Sequence, residues 1–138
     1  LTAIFHDLGL VTLPERFRQE DEHKMSTHDF AQYRLHPQQS VEILKLMGIT
    51  DSAVLQAVAQ HHEKRDKSGF PNQSGAGEIH PYAEAVGISD DLVREMRNNS
   101  EMPLRELLQR FRDASMDRYS IATIEAIDIL RLWTICRQ

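Results

Sequence analysis

Histidine and aspartate recur in this chain at positions that suit a metal. His6 and Asp7 are adjacent at the end of a short apolar segment. His36 stands directly before Pro37, His61 and His62 are adjacent ahead of Glu63, and Asp90 sits in ISDD. Neutral imidazole nitrogens with a few carboxylate oxygens are a donor set for Fe, Mn, Ni or Zn rather than for Ca or Mg. A carboxylate has two oxygens and can bridge two ions, which a neutral imidazole cannot. A histidine-rich set with one such aspartate therefore suits a two-metal centre, its ions about 3.5–4 Å apart. Neighbouring residues on a helix point about 100° apart, so His61 and His62 need a shared target rather than one core.

Taken singly, each residue has a plainer use. A histidine at a helix end serves as a cap or an exposed side chain, Asp7 as a terminal hydrogen-bond group, and Asp90 as an N-cap or a solvated carboxylate. His23, His28 and His80 belong to no motif and read as surface residues.

The elements that must position these residues are helical. Leu1 to Leu8 is an apolar stretch closed by Gly9 as a C-cap, and ERFRQEDEHK after Pro14 reads as turn and solvated surface. Ser26 or Thr27 caps a helix through about Leu35. Pro37 opens HPQQSVEILKLMG, whose apolar face is Val41, Leu44 and Met47, and Gly48 ends it. Asp51 caps SAVLQAVAQHHE, where Val54, Ala57, Val58 and His61 share one side. Residues 66–78 form a long loop rather than a tight turn. Pro81 starts a helix interrupted near Gly87, and Pro103 starts another with Leu104, Leu107, Leu108 and Phe111 as its apolar side. The last segment, 121–135, is apolar over much of its circumference, the pattern of a helix that is buried or packs on a partner. No strand pattern and no repeat appears. The expected class is all-α, a bundle of about six or seven helices.

Composition narrows the function. The 138 residues, 41% hydrophobic and 27% charged, fit one domain with a single core over 1–138. A formal charge of −5 argues against duplex nucleic acid, whose binding rests on phosphate neutralisation by Lys and Arg. The lone Cys136 excludes an internal disulfide framework. There is no membrane-length apolar run and no signal peptide. The opening LTAIFHDLG reads as the middle of a helix, so the N-terminal helix is expected to be truncated and the chain to be part of a longer protein.

In order, the motifs are HD, then HP before an IL pair, then HHE followed by D-x-SGFP, then A-x(6)-D. Together they resemble the HD-GYP family, a branch of the HD superfamily of metal-dependent phosphohydrolases. The resemblance covers roughly Leu1 to Met96 and is most specific from HHE to GFP, leaving 97–138 as C-terminal helices. It implies an all-helical domain of a larger bacterial signalling protein, cytoplasmic, that hydrolyses cyclic di-GMP to linear pGpG or GMP. It also implies two or three divalent transition-metal ions, iron or manganese. By motif, His6, Asp7, His36, His61, His62 and Asp90 would be metal ligands, with Asp7 bridging and central to catalysis. Lys64, Arg65 and Lys67 would contact phosphate, against the alternative of three solvated loop charges, and Phe70 would face the substrate base. A further ligand of the family comes from a helix upstream of the HD pair, before Leu1. The implied partners are a cyclic dinucleotide and signalling proteins such as diguanylate cyclase domains, with 121–135 as a surface for a homodimer.

Departures from the family pattern leave two readings of activity open. HDxGK is HDLGL here, so Leu10 replaces a lysine expected at the scissile phosphate; losing one such preorganised group costs on the order of 10²–10³ in rate. GYP is GFP, which keeps a ring at Phe70 and loses the hydroxyl. Lys67 replaces a glycine, Ser40 replaces another in a small-for-small change, and Glu84 replaces an arginine and would repel an anion if it faced the pocket. The arginines of REMRNNSEMP have no clear counterpart. The first reading is a cyclic di-GMP phosphodiesterase. The second is a weak or inactive relative that binds metal and acts as a ligand- or protein-binding signalling domain. Other HD phosphohydrolases acting on nucleotides, and a purely structural helical domain, are the remaining alternatives.

Overall fold

Caps and prolines start the helices where the sequence places them. Ser26 accepts from Asp29 N at 3.1 Å, and Asp51 accepts from Ala53 N at 2.9 Å and Val54 N at 3.1 Å. His80 Nδ1 accepts from Tyr82 N at 3.2 Å, so His80 is an N-cap. At the far end of the His36 helix, Gly48 adopts φ +83°, Gly48 N donates to Lys45 O and Ile49 N to Leu44 O, both at 3.0 Å. That is a Schellman motif.

The computed structural model describes residues 1–18 and 22–135, excepting the side chains of residue 23 and residues 133–135. Cys136, the middle of the charged run and the His23 side chain therefore lie outside the described residues. Within them are α1 (Thr2–Phe5), α2 (Thr27–Tyr33), α3 (His36–Leu46), α4 (Ser52–Gln60), α5 (Pro81–Asn98), α6 (Leu104–Ser115) and α7 (Ile121–Ile135). Three 3₁₀ turns, Leu8–Thr12, Glu15–Arg18 and Glu22–Lys24, join α1 to α2. No strand occurs among the described residues; Asp66 and Gly75 form an isolated bridge in the long loop. The all-α expectation is met.

Two apolar clusters hold the bundle. Val41, Leu44 and Val58 pack with Phe5, Leu8 and Val54 where α3 and α4 meet the N-terminal segment. Ile88, Leu108, Phe111, Tyr119, Ile124 and Ile127 tie α5 to α6 and α7. Between the clusters, α4 and α5 approach through small residues, Ala57 against Ala83 with Ile79 beside them.

Several expectations are corrected. α5 runs unbroken through Gly87, because that glycine serves close packing: a Cβ there would lie 2.3 Å from the His61 carbonyl oxygen. The run after Pro14 is not all surface, since Phe17 is buried and anchors it. Met47 and Leu104 are exposed; the inner face of α3 is completed by His36 and Ser40 instead. On α7, Ile124 and Ile127 are buried while Ile121, Ile129 and Leu132 face outward.

Candidate metal centre

His36 starts α3, His61 follows the last turn of α4, His62 comes next in chain, and Asp7 lies between α1 and the first 3₁₀ turn. Backbone carbonyls aim the rings. Nδ1 of His36 lies 2.7 Å from Tyr33 O, Nδ1 of His61 lies 2.7 Å from Val58 O, and Nδ1 of His6 lies 3.0 Å from Ala3 O. A carbonyl only accepts, so each Nδ1 carries its proton and each neutral ring presents an Nε2 lone pair.

Those lone pairs converge on one carboxylate. His36 Nε2 and His61 Nε2 lie 3.2 and 3.5 Å from Asp7 Oδ1, and 3.3 Å from each other. His6 Nε2 lies 3.3 Å from Asp7 Oδ2. The His62 Nε2 atom is buried with no hydrogen-bond partner among the described residues. Burial pushes His61 below its ordinary pKa and His62 well below, so neither ring gains a proton at neutral pH. For His6, burial acts downward, and the adjoining Asp7 carboxylate outweighs it and raises the pKa.

A carboxylate among imidazole lone pairs, with a buried nitrogen lacking any partner, is poorly satisfied unless a cation lies among them. The donor atoms fall into two sets, each within 4.8 Å: Asp7, His36, His61 and His62 form one, and His6, Asp7 and Asp90 form the other. Asp7 belongs to both, through opposite oxygens toward His36 and His6. The residues fit divalent metal, and the carbonyl bonds at Nδ1 are the outer support such ligands need.

The surrounding packing makes the convergence possible. Gly9, Gly69 and Gly87 abut the carbonyl oxygens of His36, His62 and His61, where a Cβ would stand 2.2, 2.3 and 2.3 Å away. Ser40 is more than a small residue: Gly9 N donates to its Oγ at 2.7 Å, and that hydroxyl donates to His6 O at 2.8 Å. Glu63, buried behind the histidine pair, accepts from Asn72 N at 2.7 Å and Ser74 N at 2.8 Å, pinning the long loop.

Of the four residues expected to handle substrate, Lys64 and Phe70 line an opening beside His62, and each of the four already has its own surroundings. Lys64 is 4% exposed, its Nζ 2.8 Å from Asp91 Oδ2 and bonded to the Tyr119 hydroxyl, so it is an interior ion pair and not a loop cation. Asp91 also meets Arg94 at 2.6 Å and Arg118 at 3.2 Å. Burial raises its pKa, but Lys64, Arg118 and Arg94 outweigh that and hold it low. Arg65 pairs with Glu84 at 3.3 Å. Glu84 in turn accepts from Ser120 N and Thr123 Oγ1 at the start of α7, so it faces away from the cluster. Lys67 is exposed on a turn at φ 65°. Phe70 does not offer a free ring: it stacks on His62 at 4.4 Å between centroids and is 7% exposed.

Two openings flank the centre. One, about 200 Å³, is lined by Asp7 and Asp90 together with Leu10, Arg18, Arg94 and Arg97. The other, about 320 Å³, borders His62, Phe70 and Arg118. Asp90, Arg94 and Arg97 recur at helical spacings of four and three, a signal in SDDLVREMR that marks one face of α5.

Comparison with known proteins bears on the family and the fold. A sequence profile described as HD domain matches residues 1–119. No curated protein matches the chain. Among solved structures, Bd1817, an HDG"Y"P protein from Bdellovibrio bacteriovorus, is similar at a TM-score of 0.73 and 21% identity. The likeness covers 94% of this chain and 42% of that one, so this chain spans less than half the length of that protein. The shared fold is that of an HD-GYP-type domain.

Proposed function

The chain belongs to the HD domain family, and on that premise we propose that it is a metal-dependent phosphohydrolase of the HD-GYP type acting on cyclic di-GMP. The observation that carries this reading is the sharing of Asp7 between two donor sets, one completed by His36, His61 and His62 and the other by His6 and Asp90. Held by these two donor sets, a pair of divalent transition-metal ions, iron or manganese, would supply polarisation of a phosphoryl oxygen and activation of a water.

The protein's own part is orientation. Carbonyl bonds from Tyr33, Val58 and Ala3 lock three rings with Nε2 inward. Asp7 spans the two sets with one oxygen toward each. Phe70 stacks over one face of His62 beside the second opening. The opening beside Asp7 and Asp90 leaves a path for an anionic group.

A weaker relative that binds metal and works as a ligand- or protein-binding signalling domain is favoured by one observation: apolar Leu10 lines the opening beside Asp7. The test is turnover of cyclic di-GMP by iron- or manganese-loaded protein, prepared without oxygen, with products separated by chromatography. Linear dinucleotide or GMP formed by wild type and absent from Asp7→Ala is the expected result. No product from protein that demonstrably holds metal leaves the second reading standing.

A further inference from the structure

The opening beside Asp7 and Asp90 contains three arginines that differ in what already engages them. Arg94 meets Glu22 at 2.5 Å, Asp91 at 2.6 Å and Asp90 at 3.2 Å, so its guanidinium is committed to holding the wall together. Arg18 and Arg97 are exposed, and neither forms an ion pair or side-chain hydrogen bond among the described residues. They come from different elements, Arg18 from the 3₁₀ turn Glu15–Arg18 and Arg97 from the last turn of α5. The buried Phe17 seats the first, and the Asp90 and Arg94 side of α5 carries the second toward the same space.

Unengaged guanidinium groups beside a metal-ligand cluster have a specific chemical use. Their planar donors match the oxygens of a phosphate, which they can take two at a time. The same lining holds Leu10, which supplies neither charge nor hydrogen bond. At about 200 Å³, the space is smaller than the ~300 Å³ where pockets for drug-sized ligands begin, and it suits a phosphate group rather than a whole dinucleotide.

We propose that Arg18 and Arg97 form a phosphate subsite that holds the anionic group of the substrate beside Asp7 and Asp90, supplying the positive charge that Leu10 does not. This inference rests on the phosphohydrolase reading above for its substrate, although the subsite itself is defined by anion binding. The two arginines are binding residues; Arg94 positions the wall.

Isothermal titration of metal-loaded protein with inorganic phosphate tests it. Arg18→Ala and Arg97→Ala should each weaken phosphate binding about tenfold, as expected for loss of one charge-assisted contact. The double variant should weaken it further at unchanged metal content. Arg97→Lys should recover part of the loss, and Arg105→Ala, on the exposed side of α6, should change nothing. Wild-type protein that binds no phosphate, or a double variant that binds it within twofold of wild type, overturns the subsite. Cyclic di-GMP turnover separates the two ideas. Arginine-dependent phosphate binding without turnover defeats the hydrolase reading and keeps the subsite. Turnover with unchanged kcat/KM in the double variant defeats the subsite and keeps the hydrolase.

Discussion

Asp7 Oδ1 lies 3.2 Å from His36 Nε2, while the other nitrogen of that ring is already engaged at the Tyr33 carbonyl. A neutral His36 therefore brings a lone pair to an anion. Asp7→Asn supplies an amide proton to that lone pair without changing the shape, a contact worth about 0.5–1.5 kcal/mol. Metal-free Asp7→Asn should melt at or above the temperature of metal-free wild type, and added manganese should raise only the wild-type Tm. An equal rise in both would sink the role given to Asp7.

Ser40 links two segments through its hydroxyl, accepting from Gly9 N and donating to His6 O. Ser40→Ala leaves both backbone groups unpaired in a buried place, at a cost of about 1–3 kcal/mol. Ser40→Gly, although it matches the family motif, should cost at least as much. Urea denaturation gives the answer; a loss below about 0.5 kcal/mol would show that water replaces the hydroxyl without penalty.

Gly87 lies against the His61 carbonyl in the middle of α5. Alanine would gain up to about 1 kcal/mol of helix propensity, yet its Cβ would stand 2.3 Å from that oxygen. Overpacking of this kind costs about 1–3 kcal/mol, so Gly87→Ala should be net destabilising and should weaken metal binding by displacing His61. A more stable variant with intact metal affinity would mean that α4 and α5 separate freely.

Asp91 gathers Lys64, Arg94 and Arg118 in the interior. Asp91→Ala strands the buried Lys64 charge and should destabilise by about 3–5 kcal/mol, more than Lys64→Met, which leaves Asp91 its two arginines. The folded pKa of Asp91 is depressed, so its contribution is present above the unfolded carboxylate value near about 4 and is lost as the pH falls through the folded value. Acid unfolding of Asp91→Asn should accordingly be shallower below pH ~4 than that of wild type. Parallel acid limbs would contradict the assignment.

Leu10 shares its opening with Arg18 and Arg97. If these arginines carry most of the phosphate binding, Leu10→Lys adds a third cation and should raise kcat/KM for cyclic di-GMP by about tenfold or more. No gain in a variant that keeps its metal would place Leu10 away from the reacting group.

Much of the molecule was legible in the residues. Pro37, Pro81, Ser26 and Asp51 mark helix starts by local chemistry, because a fixed φ or a short oxygen-bearing side chain acts within a few residues. The histidine and aspartate motifs also pointed to one site, and His6, Asp7, His36, His61, His62 and Asp90 do come together.

What the chain order could not settle was direction. Lys64 follows the histidine pair and reads as a loop cation, yet Asp91 and Tyr119, 27 and 55 residues away, draw it inward. Phe70 reads as a platform for a base, and the approach of Gly69 to the His62 carbonyl turns its ring onto His62. Arg18 and Arg97 lie far apart in sequence and share an opening only because Phe17 seats one segment and α5 runs unbroken under the other. The sequence by itself determined the helices and the donor atoms, since those depend on short-range stereochemistry and residue type. Tertiary structure decided which charges are spent in the interior and which remain for a ligand, because burial and ion pairing depend on partners that only folding brings within a few ångströms.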